Sequence, residues 1–93
     1  MGKPNFIDIA ESFELWSEYV DPDATMTRAE FDDLPVAAKI KLQAEAFGGA
    51  AAVMEAMADA GIEGDQDWDA EITVYTMSDG SVVEVSGPEV AAR

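Results

Sequence analysis

Cysteine and histidine are both absent from the 93 residues. Without cysteine there is no disulfide, no thiolate metal site and no thiol nucleophile. Without histidine the usual general base, zinc ligand and pH switch are missing. Bases are scarce: five Lys and Arg face twenty acids, for a formal net charge of −15. Phosphates are neutralised by Lys and Arg, so direct binding of nucleic acid is disfavoured, and so is docking on an anionic membrane surface. No apolar run approaches the roughly 18 residues that span a bilayer. Met1-Gly2-Lys3-Pro4-Asn5 lacks the apolar region of a signal peptide. Gly2 lacks the Ser or Thr that a myristoylation motif sets at the sixth position, where Phe6 stands. The expected location is the cytoplasm. There is no Walker loop, dinucleotide-binding turn or nucleophile elbow. Nothing singles out one carboxylate pair for acid–base work. The expectation is a binding protein, not an enzyme, with no cofactor.

What the chain does contain reads as an α+β fold in a single domain, residues 1–93: about four short N-terminal helices packed with a C-terminal antiparallel β-hairpin. A first helix is expected over residues 6–19, with Asn5 as N-cap. Phe6, Ile9, Phe13, Trp16 and Val20 recur at alternating spacings of three and four, one apolar stripe. Asp8, Glu11, Glu14 and Glu18 fall opposite it at about 100° per residue. Asp21-Pro22-Asp23 stops this helix. Thr27-Arg28-Ala29-Glu30 is a capping box. Pro35 opens a helix to Phe47 that turns Val36, Ile40, Ala44 and Phe47 inward. After Gly48-Gly49, residues 50–60 form an alanine-rich helix with Val53, Met54 and Met57 on its apolar side and Gly61 as its C-cap. Asp79-Gly80 predicts a two-residue hairpin turn. That turn pairs Met77 with Val82 and Val74 with Val85, and puts Ile72, Val74, Thr76, Val83 and Val85 on the core face. A lone hairpin is marginal, so it must pack on the helices, gain a third strand or dimerise, and a homodimer is one expectation. Gly87-Pro88 ends the hairpin, and the last residues are expected to fray.

The charge is unevenly spread. Residues 4–27 hold six acids and no base, residues 28–41 three of each, and residues 42–92 eleven acids and no base. Small soluble domains usually carry a net charge of about 2–8 in magnitude. Asp65, Asp67, Asp69 and Glu71 alternate, so an extended chain aims all four one way, about 6.6 Å apart. Glu11, Glu14 and Glu18 form a second row at one-turn spacing. Regular rows of negative charge imitate a phosphate backbone toward a basic groove, displacing the same counterions, and they speed encounter with a positive partner. The candidate partner-binding residues are therefore Glu11, Glu14, Glu18, Asp59, Glu63, Asp65, Asp67, Asp69 and Glu71. A merely solvated acidic face is the bland alternative. Trp16 lies on the apolar stripe and is expected in the core. Trp68 sits among acids, either anchoring its loop to the core, the preferred reading, or standing as an exposed interface residue.

Two stretches resemble calcium loops. Asp21 to Phe31 fails the count, with Met26 sixth and Glu30 tenth where Gly and a twelfth-position Glu are needed. Asp65 to Thr76 has acids at its first, third and fifth positions, but Ala70 and Thr76 replace the Gly and the Glu.

The stretch Asp65-Gln66-Asp67-Trp68-Asp69, followed by Tyr75-Thr76, Asp79, Ser81-Val82 and Ser86-Gly87, resembles the acidic anti-CRISPR inhibitors of type I systems. The resemblance covers the last third of the chain, with Asp65 and Asp69 as matching acids, and gives residues 1–47 no counterpart. It implies a phage-encoded inhibitor that occupies the positive DNA-binding channel of a CRISPR effector complex as a DNA mimic. An acidic protein–protein interaction module of phage or bacterial origin, held through apolar contacts of residues 28–47, is the alternative. A calcium-binding loop protein built on residues 65–71 is the third.

Overall fold

In the computed structural model, which describes residues 4–93, Asn5 opens the first helix, α1 (Phe6–Glu11), as expected. Its Oδ1 accepts from the Ile7 N–H at 2.7 Å, and its amide donates to the Ala56 carbonyl at 3.2 Å. Met1-Gly2-Lys3, on which the leader and acylation readings rest, lies outside the described residues. The helix does not run on to residue 19. It breaks at Ser12, which is extended (φ −127°, ψ 119°), and α2 (Phe13–Tyr19) starts anew. Ser12 Oγ accepts the Leu15 N–H at 3.4 Å. Serine is a poor interior helix residue and a strong N-cap, and here the cap wins. The break lets α1 serve two cores: Ile7 and Ala10 join the main one, while Ile9 joins a smaller one with Trp16 and Phe31.

The smaller core is aromatic. Phe31 meets Phe13 and Trp16 edge-on, with centroids 5.5 and 5.8 Å apart. Phe31 sits on α3 (Arg28–Asp33), whose capping box is formed: Thr27 Oγ1 accepts the Glu30 N–H, and Glu30 accepts the Thr27 N–H. Lys39 ties this core to the main one. It is buried, donates from Nζ to the Phe31 carbonyl at 3.1 Å and lies over the Phe31 ring. Burial lowers its pKa, while Asp32, Asp79 and Glu11 act the other way.

Helix α4 (Val36–Ala46) begins after Pro35, which has no side chain able to cap it. The caps come from 43 and 44 residues away: the Val36 N–H donates to Asp79 Oδ2 and the Ala37 N–H to Ser81 Oγ, both at 3.0 Å. Val36, Ile40 and Ala44 are buried as expected, but Phe47 is 50% exposed. The helix stops one residue before it, and Phe47 leaves helical geometry (φ −137°, ψ 63°). Gly48 and Gly49 turn the corner at positive φ into α5 (Gly49–Asp59). Its inward face is Ala50, Val53, Ala56 and Met57, so Met54 points out and is 44% exposed, against expectation. Gly61 closes the helix as expected, with Gly61 N–H to Ala58 and Ile62 N–H to Met57.

The sheet has four antiparallel strands in the order β1-β2-β3-β4: β1 (Asp65–Asp67), β2 (Ile72–Thr76), β3 (Val82–Ser86) and β4 (Glu89–Ala92). The hairpin is thus flanked on both sides. The final residues do not fray: β4 pairs with β3 from Ser86↔Glu89 to Val83↔Ala92 across the turn at Gly87-Pro88. The central register differs by one from expectation, pairing Thr76 with Val82 and Tyr75 with Val83. The Met77 N–H bonds to the Ser81 carbonyl and the Gly80 N–H to that of Met77, so the loop is three residues, Ser78-Asp79-Gly80, with Gly80 at φ +86°. One residue of slip exchanges the faces. Tyr75 and Met77 are buried with Val83 and Val85, while Thr76 is exposed and Ile72 and Val74 are half-buried. Helices α4 and α5 lie against β3 and β4, and the acidic strand β1 forms the edge remote from β4.

Asp79 is partly desolvated, which by itself raises its pKa, but bonds from the Ser81 side chain and from the Val36 and Ser81 N–H groups hold it below the usual carboxylate range. Its contribution to stability is therefore complete above about pH 4, the unfolded value, and is lost as pH falls through the lower folded value. Asp79→Ala is expected to cost about 1 kcal/mol or more at pH 7. In urea melts from pH 7 to pH 2, the gap between variant and parent should narrow below about pH 4.

Candidate partner-binding surface

The acids divide into two kinds. Asp21, Glu30 and Asp79 are built into the fold. Asp21 is buried, and its carboxylate accepts from Thr25 Oγ1 (2.7 Å), the Thr25 N–H (3.0 Å) and the Met26 N–H (2.8 Å). The Thr25 hydroxyl, then these two N–H groups, hold its pKa below the ordinary value. The bonds explain why the stretch after Asp21 is a closed loop leading to a capping box. Glu30 is lowered likewise by the Thr27 backbone and side chain.

The nine candidate acids are the other kind. Glu11, Glu14, Glu18, Asp59, Glu63, Asp65, Asp67, Asp69 and Glu71 are all exposed, and among the described residues none forms an ion pair. The described cations, by contrast, are engaged inside the chain: Arg28 with Asp32 (3.8 Å), Lys41 with Glu45 (3.7 Å), Arg93 with Glu84, and Lys39 as above.

The expected rows are only partly realised. Glu11 ends α1, while Glu14 and Glu18 lie one turn apart on α2. The Ser12 break thus splits the helical row, although Glu11 and Glu14 border one shallow recess together with Arg28 and Asp32. Asp65 and Asp67 alternate on β1 and share a face, but Asp69 and Glu71 fall in the turn before β2, so the four do not form one extended row. Asp67 Oδ1 accepts the Asp69 and Ala70 N–H groups at 3.1 and 3.2 Å, and Glu71 closes the turn at φ +56°. Trp68 rides on this turn 79% exposed, so it does not anchor the loop to the core. Among the described residues no three acids converge as a metal site, and no helix is long and apolar enough to cross a membrane.

A second feature was not foreseen. Phe6, Ile9, Tyr19, Val20, Gln43 and Phe47 line a cavity of about 250 Å³ where α1, α2 and the end of α4 meet. Its signal in the sequence is Gln43, a polar residue on the inward face marked by Val36, Ile40 and Ala44.

The site thus defined is a strongly acidic surface, carried by an α+β scaffold, beside an aromatic-lined cavity. Residues 4–52 match the family of Anti-CRISPR protein F31. Anti-CRISPR protein 31 of Pseudomonas phage D3112 is 54% identical over 43 residues, which are 46% of this chain and 83% of that relative. No solved structure matches. The chain belongs to the Anti-CRISPR protein F31 family. The family expected from the sequence is right in kind, but the matching residues are not those that suggested it. The match lies on α1 to α4 and the start of α5, and the sheet and the acidic stretch 59–71 lie outside residues 4–52.

Neutralising the two kinds of acid should have opposite effects on stability. Glu14→Gln, Glu18→Gln and Asp65→Asn together are expected to keep or raise the melting temperature by relieving like-charge repulsion. Asp21→Ala should lower it, because two N–H groups and a hydroxyl lose their acceptor. Thermal melts at low ionic strength, where repulsion is least screened, check both.

Proposed function

We propose that this protein inhibits a CRISPR–Cas system by binding the basic nucleic-acid-binding surface of one of its effector proteins, where its carboxylates take the place of DNA phosphates. The observation that carries the reading is the division of charge. Each described cation is paired within the fold, and the nine exposed candidate acids form no ion pair among the described residues. Such a surface attracts a basic channel at long range, speeds encounter, and releases the same counterions as a nucleic acid. Family membership supports the CRISPR target. It also favours Glu11, Glu14 and Glu18, which fall in the family-matched segment, over Asp59, Glu63, Asp65, Asp67, Asp69 and Glu71, which do not.

A specific observation favours a second mode of contact. Within residues 28–47 Leu42 is 44% and Phe47 50% exposed, so the helical half also offers apolar surface. The two modes differ in salt dependence: charge contacts weaken as salt rises, whereas apolar burial does not.

The test is a gel-shift panel of purified type I effector complexes on target DNA, with this protein added before or after the DNA. Loss of the shifted band only when the protein is added first is expected for competition at the DNA channel. Glu11→Lys, Glu14→Lys and Glu18→Lys together should weaken inhibition at least tenfold and flatten its salt dependence. Inhibition indifferent to order of addition, to salt and to these reversals would overturn DNA mimicry.

A further inference from the structure

The cavity between α1, α2 and the end of α4 is walled by Phe6, Ile9, Val20 and the half-exposed rings of Tyr19 and Phe47. Gln43 forms part of its lining, is 2% exposed, and its Oε1 is fully buried with no hydrogen-bond partner. Both facts run against folding stability. Buried carbonyls without a partner are rare and destabilising, and aromatic rings left half in water forgo the burial that would stabilise them. Nothing in the packing requires a glutamine there, since leucine has a comparable volume and no unmet polar atom. A residue that costs stability and lines an open cavity fits a binding role.

We propose that this cavity receives an arginine side chain of the bound effector protein, a proposal that rests on the reading that the chain binds a basic CRISPR–Cas surface. At about 250 Å³ the cavity falls below the roughly 300–1,000 Å³ of sites that enclose drug-sized ligands, and suits one inserted side chain. A purely apolar side chain would satisfy the walls and leave the Gln43 carbonyl unpaired. A carboxylate would enter the field of a chain of net charge −15, with Glu18 next to Tyr19. Lysine carries a compact, strongly hydrated charge, which is costly to strip of water against aromatic walls. The guanidinium is planar and weakly hydrated, stacks on rings and presents five N–H donors. The Gln43 oxygen is fully buried, so a half-turn of the amide, which exchanges its oxygen and nitrogen, is needed to bring the oxygen to a donor in the cavity. Every residue of this lining falls within residues 4–52, so the cavity belongs to the half of the chain that matches the family.

The first test is binding to the effector that the gel-shift panel identifies. Gln43→Leu is expected to fold at least as stably as the parent, since it removes an unpaired buried carbonyl, yet to bind about tenfold more weakly. Phe47→Ala, at a half-exposed position past the helix end, should weaken binding by a similar factor. Both should leave the salt dependence of binding unchanged, which separates them from the acid reversals. Parental affinity in both variants, with acid reversals still effective, overturns the cavity and spares the acidic surface. Should no effector bind, the reading beneath falls. The cavity is then judged by titrating N-acetyl-arginine methylamide into the isotope-labelled full chain, with the lysine and leucine analogues as controls. Saturable shifts at the Gln43 side-chain amide and the Tyr19 and Phe47 rings, for the arginine compound alone and abolished in Gln43→Leu, support the cavity. Absent shifts, or equal shifts from the leucine analogue, overturn it.

Discussion

The fold depends on a carboxylate placed far from the helix it serves. Pro35 gives α4 a good starting φ but no side-chain acceptor, so the helix N-terminus must find its caps elsewhere. Asp79 and Ser81 supply them from the β2–β3 turn. An anion at that position also meets the positive end of the helix dipole. The contact fixes where the hairpin sits along α4, and the three-residue loop that carries it sets the strand register. Register then decides which side chains face the helices. With Tyr75, Met77, Val83 and Val85 inward, the sheet completes the core begun by Ile7, Ile40, Val53 and Met57.

How far the sequence foretells this follows from the range of each interaction. Asn5, the Thr27–Glu30 box and Gly61 act within a few residues, and each does in the structure what its local chemistry predicts. The Ser12 break escaped because apolar residues at spacings of three and four run across it, and one stripe can be two short helices whose faces nearly coincide. The hairpin register escaped for a different reason. Asp79-Gly80 fits a two-residue turn as well as a three-residue turn with a bulge, and the choice goes with a contact to α4 that no local window contains. Strand β4 was hidden because Glu89–Ala92 has no pattern of its own and gains its partner only once β3 is in place.

The surface residues were legible as a class and not as an arrangement. Composition alone showed an excess of acid, and the structure separates the carboxylates that cap loops and helices from those that face water. It also divides the helical row at Ser12 and bends the row beginning at Asp65 into a turn that lifts Trp68 into solvent. Gln43 was visible on the inward face of α4, but its missing partner shows only when the surrounding side chains are counted.

The family match adds a constraint that neither charge nor packing provides. It covers the helical half and leaves the sheet outside, although the sheet closes the main core and caps α4. On the proposed reading, the sheet serves to hold the helices, and contact with the effector falls to α1, α2 and the end of α4. Those elements carry two unlike surfaces side by side, since Glu18 precedes Tyr19 directly on α2. Long-range charge is suited to steering a basic partner and poorly suited to holding it, because exposed carboxylates remain solvated and screened. A cavity that loses its water on being filled has the opposite properties: it is silent at a distance and slow to release what fills it. An inhibitor of the proposed kind, which must reach a DNA channel before DNA does and then stay, needs both, and the junction of α1, α2 and α4 is where this chain would combine them.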